Sequence, residues 1–446
     1  MVDLSIDFCG IKSPNPFWLA SAPPSNSGYQ VQKAFEQGWG GAVWKTIGAP
    51  VLNVSNRYGT IDYKGSKIIG LNNVELISDR PIQTNLKEMA EVKRNFPDHA
   101  VIASIMVESK KEAWQEIIKR TQEETNCDGF ELNFGCPHGM FERGMGSAMG
   151  QVPEYTQMVT QWVMEVSQKP VIVKLTPNVT DIVVPARAAV KGGANALSLI
   201  NTINSIMGVD LNTFELKPNV GGKGGHGGYA GMAVKPIALH MLSSVANEIS
   251  VKEARIPISG IGGIETWQDV AEFMLLGATS VQVCTAVMHW GFRIVEDMID
   301  GLSNWMESHG FNTVYDFIGK SLPRISNFGD FDLGFKSVAR INKDKCIHCN
   351  LCYVACNDTA HQCIDLDAME IDDGFKKLFP VVREDDCVGC ALCASVCPVN
   401  DCISMVAVDS KRPHITWNEL SKTQPEVVSN WDKMEEYRKV SNIHIH

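Results

Sequence analysis

The chain has 446 residues, a formal net charge of −11 and 14 cysteines, with 44% hydrophobic and 20% charged residues. That composition argues against a disordered chain, and the acidic balance argues against a general nucleic-acid binder, which carries a basic face. No stretch approaches the ~18 apolar residues of a membrane span, and the start, Met1–Asp7, lacks the basic and apolar regions of a secretory signal.

Along the first 310 residues, short apolar runs alternate with amphipathic stretches such as Lys110–Glu124 and Glu154–Ser167. Eight runs read as strands: Pro16–Pro23, Gly41–Ile47, Val101–Val107, Gly129–Cys136, Pro170–Pro177, Ala196–Thr202, Ile256–Gly263 and Ser280–Ala286. Most are rich in Val and Ile and bounded by Gly, Pro or Asn, as parallel strands buried on both faces are. Eight β/α units in this length favour an α/β fold of the (β/α)8 TIM barrel type over a doubly wound open sheet. Two connections are unusually long, Gly48–Ala100 and Ile203–Arg255, and both are expected over the active-site face, which β→α loops build. The expected organisation is a barrel over 1–310, a polar connector over 311–339, a cysteine-rich module over 340–408 and a tail over 409–446 that wraps the body or frays.

Chemistry-bearing residues cluster at the ends of these strands. Lys45 and Lys174 end the second and fifth. Lysines are rarely buried unless paired, so two at strand ends point to an anionic ligand such as a reduced flavin, or else are rim charges. Cys136 ends the fourth strand beside Asn133 and precedes a Gly-rich, mobile-looking loop running to Gly146. That position is where barrel enzymes carry catalytic groups, although an isolated barrel cysteine is often structural. Gly260-Ile-Gly-Gly263 and Cys284-Thr285-Ala286 end strands seven and eight, the usual place of a barrel phosphate site. The same glycines also serve simple tight turns. Gly222-x-Gly224-x-x-Gly227 matches a dinucleotide fingerprint formally, but it follows no strand, opens no obvious helix and lacks the acidic partner. No other nicotinamide-binding fingerprint occurs.

Ten of the 14 cysteines fall between Cys346 and Cys402. Eight form two runs, Cys346-x2-Cys349-x2-Cys352-x3-Cys356 and Cys387-x2-Cys390-x2-Cys393-x3-Cys397-Pro398. This is the spacing of a ferredoxin-like α+β domain with two [4Fe–4S] clusters, in which the fourth cysteine of each run ligates the other cluster. One set is then Cys346, Cys349, Cys352 and Cys397, and the other Cys387, Cys390, Cys393 and Cys356. Zinc, the alternative, is usually held by paired C-x2–4-C units rather than runs of four. Asn357 follows the first run where proline is usual. Cys363 and Cys402 lie outside the spacing and read as small buried hydrophobes. With no export signal, closely spaced thiols point to a reduced, cytoplasmic protein. Two clusters fused to a barrel call for a converter between single electrons and hydrides, which a flavin supplies.

These residues together resemble the dihydropyrimidine dehydrogenase family over Ile11 to about Met405. The most specific stretches are Ala20-Ser-Ala22, Lys45-Thr46, Asn73–Ile77, Ile102–Met106, Asn133–Gly146, Lys174–Asp181, Asn201-Thr202 and Cys356–Gln362. The resemblance implies a dihydroorotate-dehydrogenase-like FMN barrel with a C-terminal two-cluster domain, interconverting uracil or thymine with the 5,6-dihydropyrimidine. It implies hydride exchange between FMN N5 and C6 of the pyrimidine, with Cys136 as general acid at C5 under a closing loop. It implies that Asn73, Asn133, Asn201 and Thr202 hydrogen-bond the pyrimidine. It implies that Ala20, Ser21, Lys45, Thr46 and Lys174 contact the isoalloxazine, and that Gly231, Gly262, Gly263, Cys284 and Thr285 line the ribityl phosphate. Gly135 departs from the family, which more often has Ser before the catalytic cysteine. The chain begins at the barrel, without the family's N-terminal FAD and NADPH regions. It therefore resembles the catalytic subunit of the bacterial two-subunit type, a hetero-oligomer whose separate flavoprotein binds FAD and NAD(P)H. The competing expectations are a dihydroorotate dehydrogenase, whose substrate carboxylate wants a further cation or amide, and an electron-transfer relay with a vestigial barrel.

Overall fold

The structure, a computed structural model, describes residues 2–62, 65–136, 145–371 and 375–440, and the chain divides into two units after Arg324. In the first unit each of the eight expected runs contains one strand. These are β1 (Phe17–Leu19), β2 (Gly41–Val43), β3 (Ala100–Met106), β4 (Gly129–Asn133), β5 (Val171–Lys174), β6 (Ala196–Leu199), β7 (Ile258–Ile261) and β8 (Ser280–Val283). Each pairs in parallel with the next, and β8 returns to β1 through Val281↔Phe17, so the sheet closes into a barrel. All seven residues of β3 are buried, as a strand covered by helices on one side and by the barrel interior on the other must be. The helix Lys111–Thr125 shows how the outer ring docks. Its buried residues Trp114, Ile117, Ile118, Thr121 and Thr125 recur at the three- and four-residue spacing of one helical face.

The barrel interior is more polar than the usual filling of Val, Ile and Leu. Ser104, Glu131, Ser198, Ser259, Ser280 and Gln282 are buried. Glu131 Oε2 accepts from Ser198 Oγ at 2.8 Å and from Gln282 Nε2 at 2.9 Å. β4 and β8 lie opposite one another in an eight-stranded barrel, so the Glu131–Gln282 bond spans its interior.

The two long connections share one structure. Tyr58–Thr60 and Leu71–Asn73 from the first, with Ile203–Ser205 and Gly227–Ala230 from the second, form one antiparallel four-stranded cap sheet. The formal dinucleotide motif thus runs into an antiparallel strand rather than a strand–turn–helix.

The unit boundary differs from the expected connector over 311–339. Val314 and Phe317 are buried in the first unit's core, whereas Lys336–Ile341 is already a strand of the second unit, antiparallel to Ile403–Val408. A second antiparallel pair, Ile364–Ile371 with Phe375–Val382, and the helices Leu351–Thr359 and Leu392–Val396 complete the α+β cysteine module. The expected tail begins with two short helices, Trp417–Thr423 and Pro425–Val428, which bury Leu420 and Val427. Among the described residues no helix is long and apolar enough to cross a membrane.

Candidate active site and cluster cavities

The C-terminal ends of the barrel strands and the cap sheet enclose a cavity of about 1170 Å³, open solvent at its mouth included. Every barrel residue that the resemblance assigns to proton transfer, pyrimidine or FMN lines it. The loop expected to close over Cys136 falls on residues 137–144, outside the described residues.

Neighbouring side chains form a hydrogen-bonded row in the cavity wall. Asn133 Nδ2 donates to Thr46 Oγ1 at 3.0 Å, and Asn201 Nδ2 donates to Asn133 Oδ1 at 3.0 Å. Asn201 Oδ1 in turn accepts the backbone N–H of Thr202 at 2.8 Å. Thr46 is itself fixed by Ser21 at 3.0 Å and Ser104 at 2.8 Å, while the Ala20 N–H ties β1 to the Val283 carbonyl. An amide offers two N–H donors, so Asn133 and Asn201 each keep one N–H beyond this row. Asn73 reaches the cavity from the cap sheet. Its Nδ2 donates to the Gly228 carbonyl at 3.1 Å and its Oδ1 accepts from the Glu75 N–H at 3.3 Å. The Cys136 side chain packs with Ile77, Met106 and Met145, and its carbonyl accepts from the Ser147 N–H at 3.0 Å.

Two buried lysines face the cavity, and the structure gives each a carboxylate that the sequence did not pair with it. Lys45 Nζ lies 2.7 Å from Glu75, which also takes the Tyr58 hydroxyl at 2.8 Å and stands 3.3 Å from Arg57. Lys174 Nζ lies 3.4 Å from Glu131 Oε1. Burial, then the bond to Glu75, pushes the Tyr58 phenol up to about 12, keeping it a donor. Glu75, Tyr58, Glu131 and Gln282 are thus the site residues that sequence reading missed. The signal was present for Glu131: a carboxylate inside the buried strand Gly129–Asn133 requires a cation or several donors.

At the far side, Gly231, Gly262 and Gly263 have φ of +97°, +129° and +72°, a region side chains rarely enter. A Cβ on Gly263 would lie 2.8 Å from Lys235 Cβ and 3.0 Å from the Gly231 carbonyl oxygen. Cys284 and Thr285 follow β8 beside them. Burial pushes the Cys284 thiol up to about 12, so it lines the wall as a neutral group.

In the second unit the cysteines gather around two small cavities. One, of about 340 Å³, is lined by Cys356, Cys387, Cys390 and Cys393 together with Cys363. The other, of about 310 Å³, is lined by Cys346, Cys349, Cys352 and Cys397 together with Cys402. Both runs turn alike: His348 and Asn350 in the first, and Gly389 and Ala391 in the second, have φ of +57° to +74°. The thiols surround space; among the described residues no group of three His, Cys, Asp or Glu side chains could hold a metal ion. Four soft thiolates around such a space fit a cubane cluster.

Comparison with known proteins agrees with this architecture. A profile described as dihydroorotate dehydrogenase matches residues 3–306, and one described as a 4Fe-4S dicluster domain matches residues 339–405. The NAD-dependent dihydropyrimidine dehydrogenase subunit PreA of Escherichia coli is 42% identical over 411 residues, covering 92% of this chain and 97% of its own. The chloroplastic dihydropyrimidine dehydrogenase (NADP(+)) of Arabidopsis thaliana is 43% identical over 338 residues, 74% of this chain and 79% of its own. The catalytic subunit of dihydroorotate dehydrogenase B (NAD(+)) of Pyrococcus abyssi is 36% identical over 323 residues, 72% of this chain and 99% of its own. The chain belongs to the dihydroorotate dehydrogenase family and, within it, to the dihydropyrimidine dehydrogenases that carry a dicluster domain.

Proposed function

We propose that this chain is the catalytic subunit of an NAD(P)-dependent dihydropyrimidine dehydrogenase. It interconverts uracil or thymine with the 5,6-dihydropyrimidine and exchanges electrons, through two [4Fe–4S] clusters, with a partner that binds FAD and NAD(P)H. The observation that carries this reading is the single cavity joining Cys136, the Asn133–Asn201–Thr202 row, two lysines and three left-handed glycines. The relative named as subunit PreA supports a partner chain, and the two five-cysteine cavities support the clusters.

The cavity fits FMN. Gly231, Gly262, Gly263, Cys284 and Thr285 would hold its phosphate, where the absence of side chains lets backbone approach closely. Ala20, Ser21, Lys45, Thr46 and Lys174 would hold the ring. Bound FMN supplies hydride chemistry on the substrate side and single-electron chemistry on the cluster side. The chain's own residues do the rest. The N–H groups that Asn133 and Asn201 retain would meet substrate carbonyl oxygens, and Asn73 and Thr202 would complete the pyrimidine's polar edge. In the reducing direction Cys136 gives its thiol proton to C5 while C6 gains hydride. In the oxidising direction the thiolate takes that proton back.

The paired carboxylates change the electrostatics expected of two lone lysines, because Glu75 and Glu131 offset Lys45 and Lys174. Glu131→Gln keeps an oxygen for Ser198 and Gln282 but leaves Lys174 unopposed. A uncancelled charge is worth about 1–4 kcal/mol at an effective dielectric between water and ~20. Sulfite should therefore bind the oxidised flavin about tenfold more tightly in this variant, read from flavin bleaching; unchanged affinity would mean that Lys174 does not act on the flavin.

The overall reading is tested by anaerobic titration of the photoreduced, cofactor-loaded chain with uracil, thymine and orotate. Uracil or thymine should reoxidise the flavin and orotate should not. Reoxidation by orotate alone would reassign the chain to dihydroorotate chemistry, and no response to any of the three would leave an electron relay.

A further inference from the structure

The spacing of the two cysteine runs uses eight thiols and leaves Cys363 without a role, yet its position is built rather than incidental. The helix Leu351–Thr359 carries Cys356, and the chain folds back immediately after it. The Cys356 carbonyl accepts from the N–H groups of both Ala360 and Gln362 at 3.2 Å, and Gln362 takes φ +48° to make the reversal. This return sets Cys363 against Cys356 twice. Its backbone N–H donates to Cys356 Sγ at 3.4 Å, and its own Sγ lies 3.6 Å from Cys356 Sγ. Cys363 is only 4% exposed and lines the same cavity as Cys356, Cys387, Cys390 and Cys393. The fifth cysteine of the other cavity, Cys402, has its Sγ 3.7 Å from the Asn342 carbonyl oxygen and also lies against Cys397 and Cys346.

We propose that Cys363 is not a ligand but a hydrogen-bond donor to the Cys356 thiolate, and that it raises the reduction potential of the cluster Cys356 helps to hold. When Cys356 binds iron it carries no proton, so the S–H at 3.6 Å belongs to Cys363. A ligand sulfur receiving both an N–H and an S–H from one residue loses electron density to them. That favours the reduced, more negative cluster, and hydrogen bonds to the sulfurs are among the factors that set such potentials. Cys363 lines one of the two cavities and not the other, so its effect falls on the cluster held there. Cys363 is a tuning residue that acts through Cys356.

The inference rests on the ligand sets read above, and the two fail differently. The test is potentiometric titration, followed by electron paramagnetic resonance, of the full cofactor-loaded chain carrying Cys363→Ala, Cys363→Ser or Cys402→Ala, with iron and sulfide counted in each. Absence of clusters from the parent chain would overturn the ligand sets themselves. With clusters present, Cys363→Ala should keep full iron and lower the potential of one cluster while the other stays put. Cys363→Ser, which restores a donor, should recover most of that shift, and Cys402→Ala should leave that cluster unmoved. Unchanged potentials in Cys363→Ala would overturn the proposal. So would an equal fall in both clusters, or loss of a cluster in Cys363→Ala, which would make Cys363 a ligand.

Discussion

Replacing Cys136 with Ala is expected to lower pyrimidine turnover by about 10²–10⁴-fold, the usual contribution of a positioned general acid, while flavin and cluster absorbance stay at parent levels. The expectation rests on where the side chain lies. Cys136 follows directly from the end of β4, lines the substrate cavity with Asn133, and is anchored through its carbonyl by Ser147. Ile77, Met106 and Met145 pack around it, which limits water that could replace the lost proton donor. The measurement is steady-state turnover of the reconstituted enzyme beside the two absorbance signals. Full activity in Cys136→Ala would remove Cys136 from proton transfer, whereas loss of flavin would show a structural role instead.

The second large effect is expected at Gly135, where the resemblance leads one to expect Ser. A Cβ there would sit 2.5 Å from Asn201 Cβ and 2.6 Å from Asn201 Nδ2. Both distances are far inside van der Waals contact, and the Cβ of Asn201 cannot swing aside as a side-chain tip would. Gly135→Ser should therefore displace Asn201, break its 3.0 Å bond to Asn133 and disorder the row proposed to read the pyrimidine. Overpacking of this kind costs typically about 1–3 kcal/mol, equivalent to a 5- to 150-fold rise in KM with a smaller change in kcat. Initial-rate kinetics against uracil concentration would measure it, and a parent-like KM would mean that Asn201 does not contact substrate.

The barrel was legible because eight Val/Ile-rich runs with long amphipathic spacers leave few other ways to bury strands on both faces. The strand-end residues were legible for the same reason: once the strands are placed, their C-terminal ends define one face. The cap sheet was not legible. Its strands are three or four residues long, carry Gly, Asn, Tyr and Ser, and pair across more than a hundred residues of sequence, as in Asn73↔Gly228, so no local periodicity announces them. The lysines were found and their counter-charges were not. Glu75 and Glu131 lie 30 and 43 positions from Lys45 and Lys174, and only the folded barrel brings them together. Cys363 is buried as its place outside the spacing suggested. The chain reversal that returns it to Cys356 is a geometry that cysteine spacing does not reveal.

The cap sheet has a consequence for how the substrate cavity opens. Its order runs Ile203–Ser205, Gly227–Ala230, Leu71–Asn73, Tyr58–Thr60, so two strands of each insertion lie side by side and the two pairs are joined where Leu71–Asn73 meets Gly227–Ala230. Neither insertion can lift from the barrel alone without leaving an unpaired strand edge over a polar pocket, and such exposed edges are unfavourable and sticky. The two segments should behave as one cooperative folding unit, unfolding and re-forming together although four barrel strands separate them along the chain. Shortening either insertion would consequently unroof the whole pocket rather than half of it, so the lengths of the two are tied to one another more tightly than either is tied to its neighbouring strands.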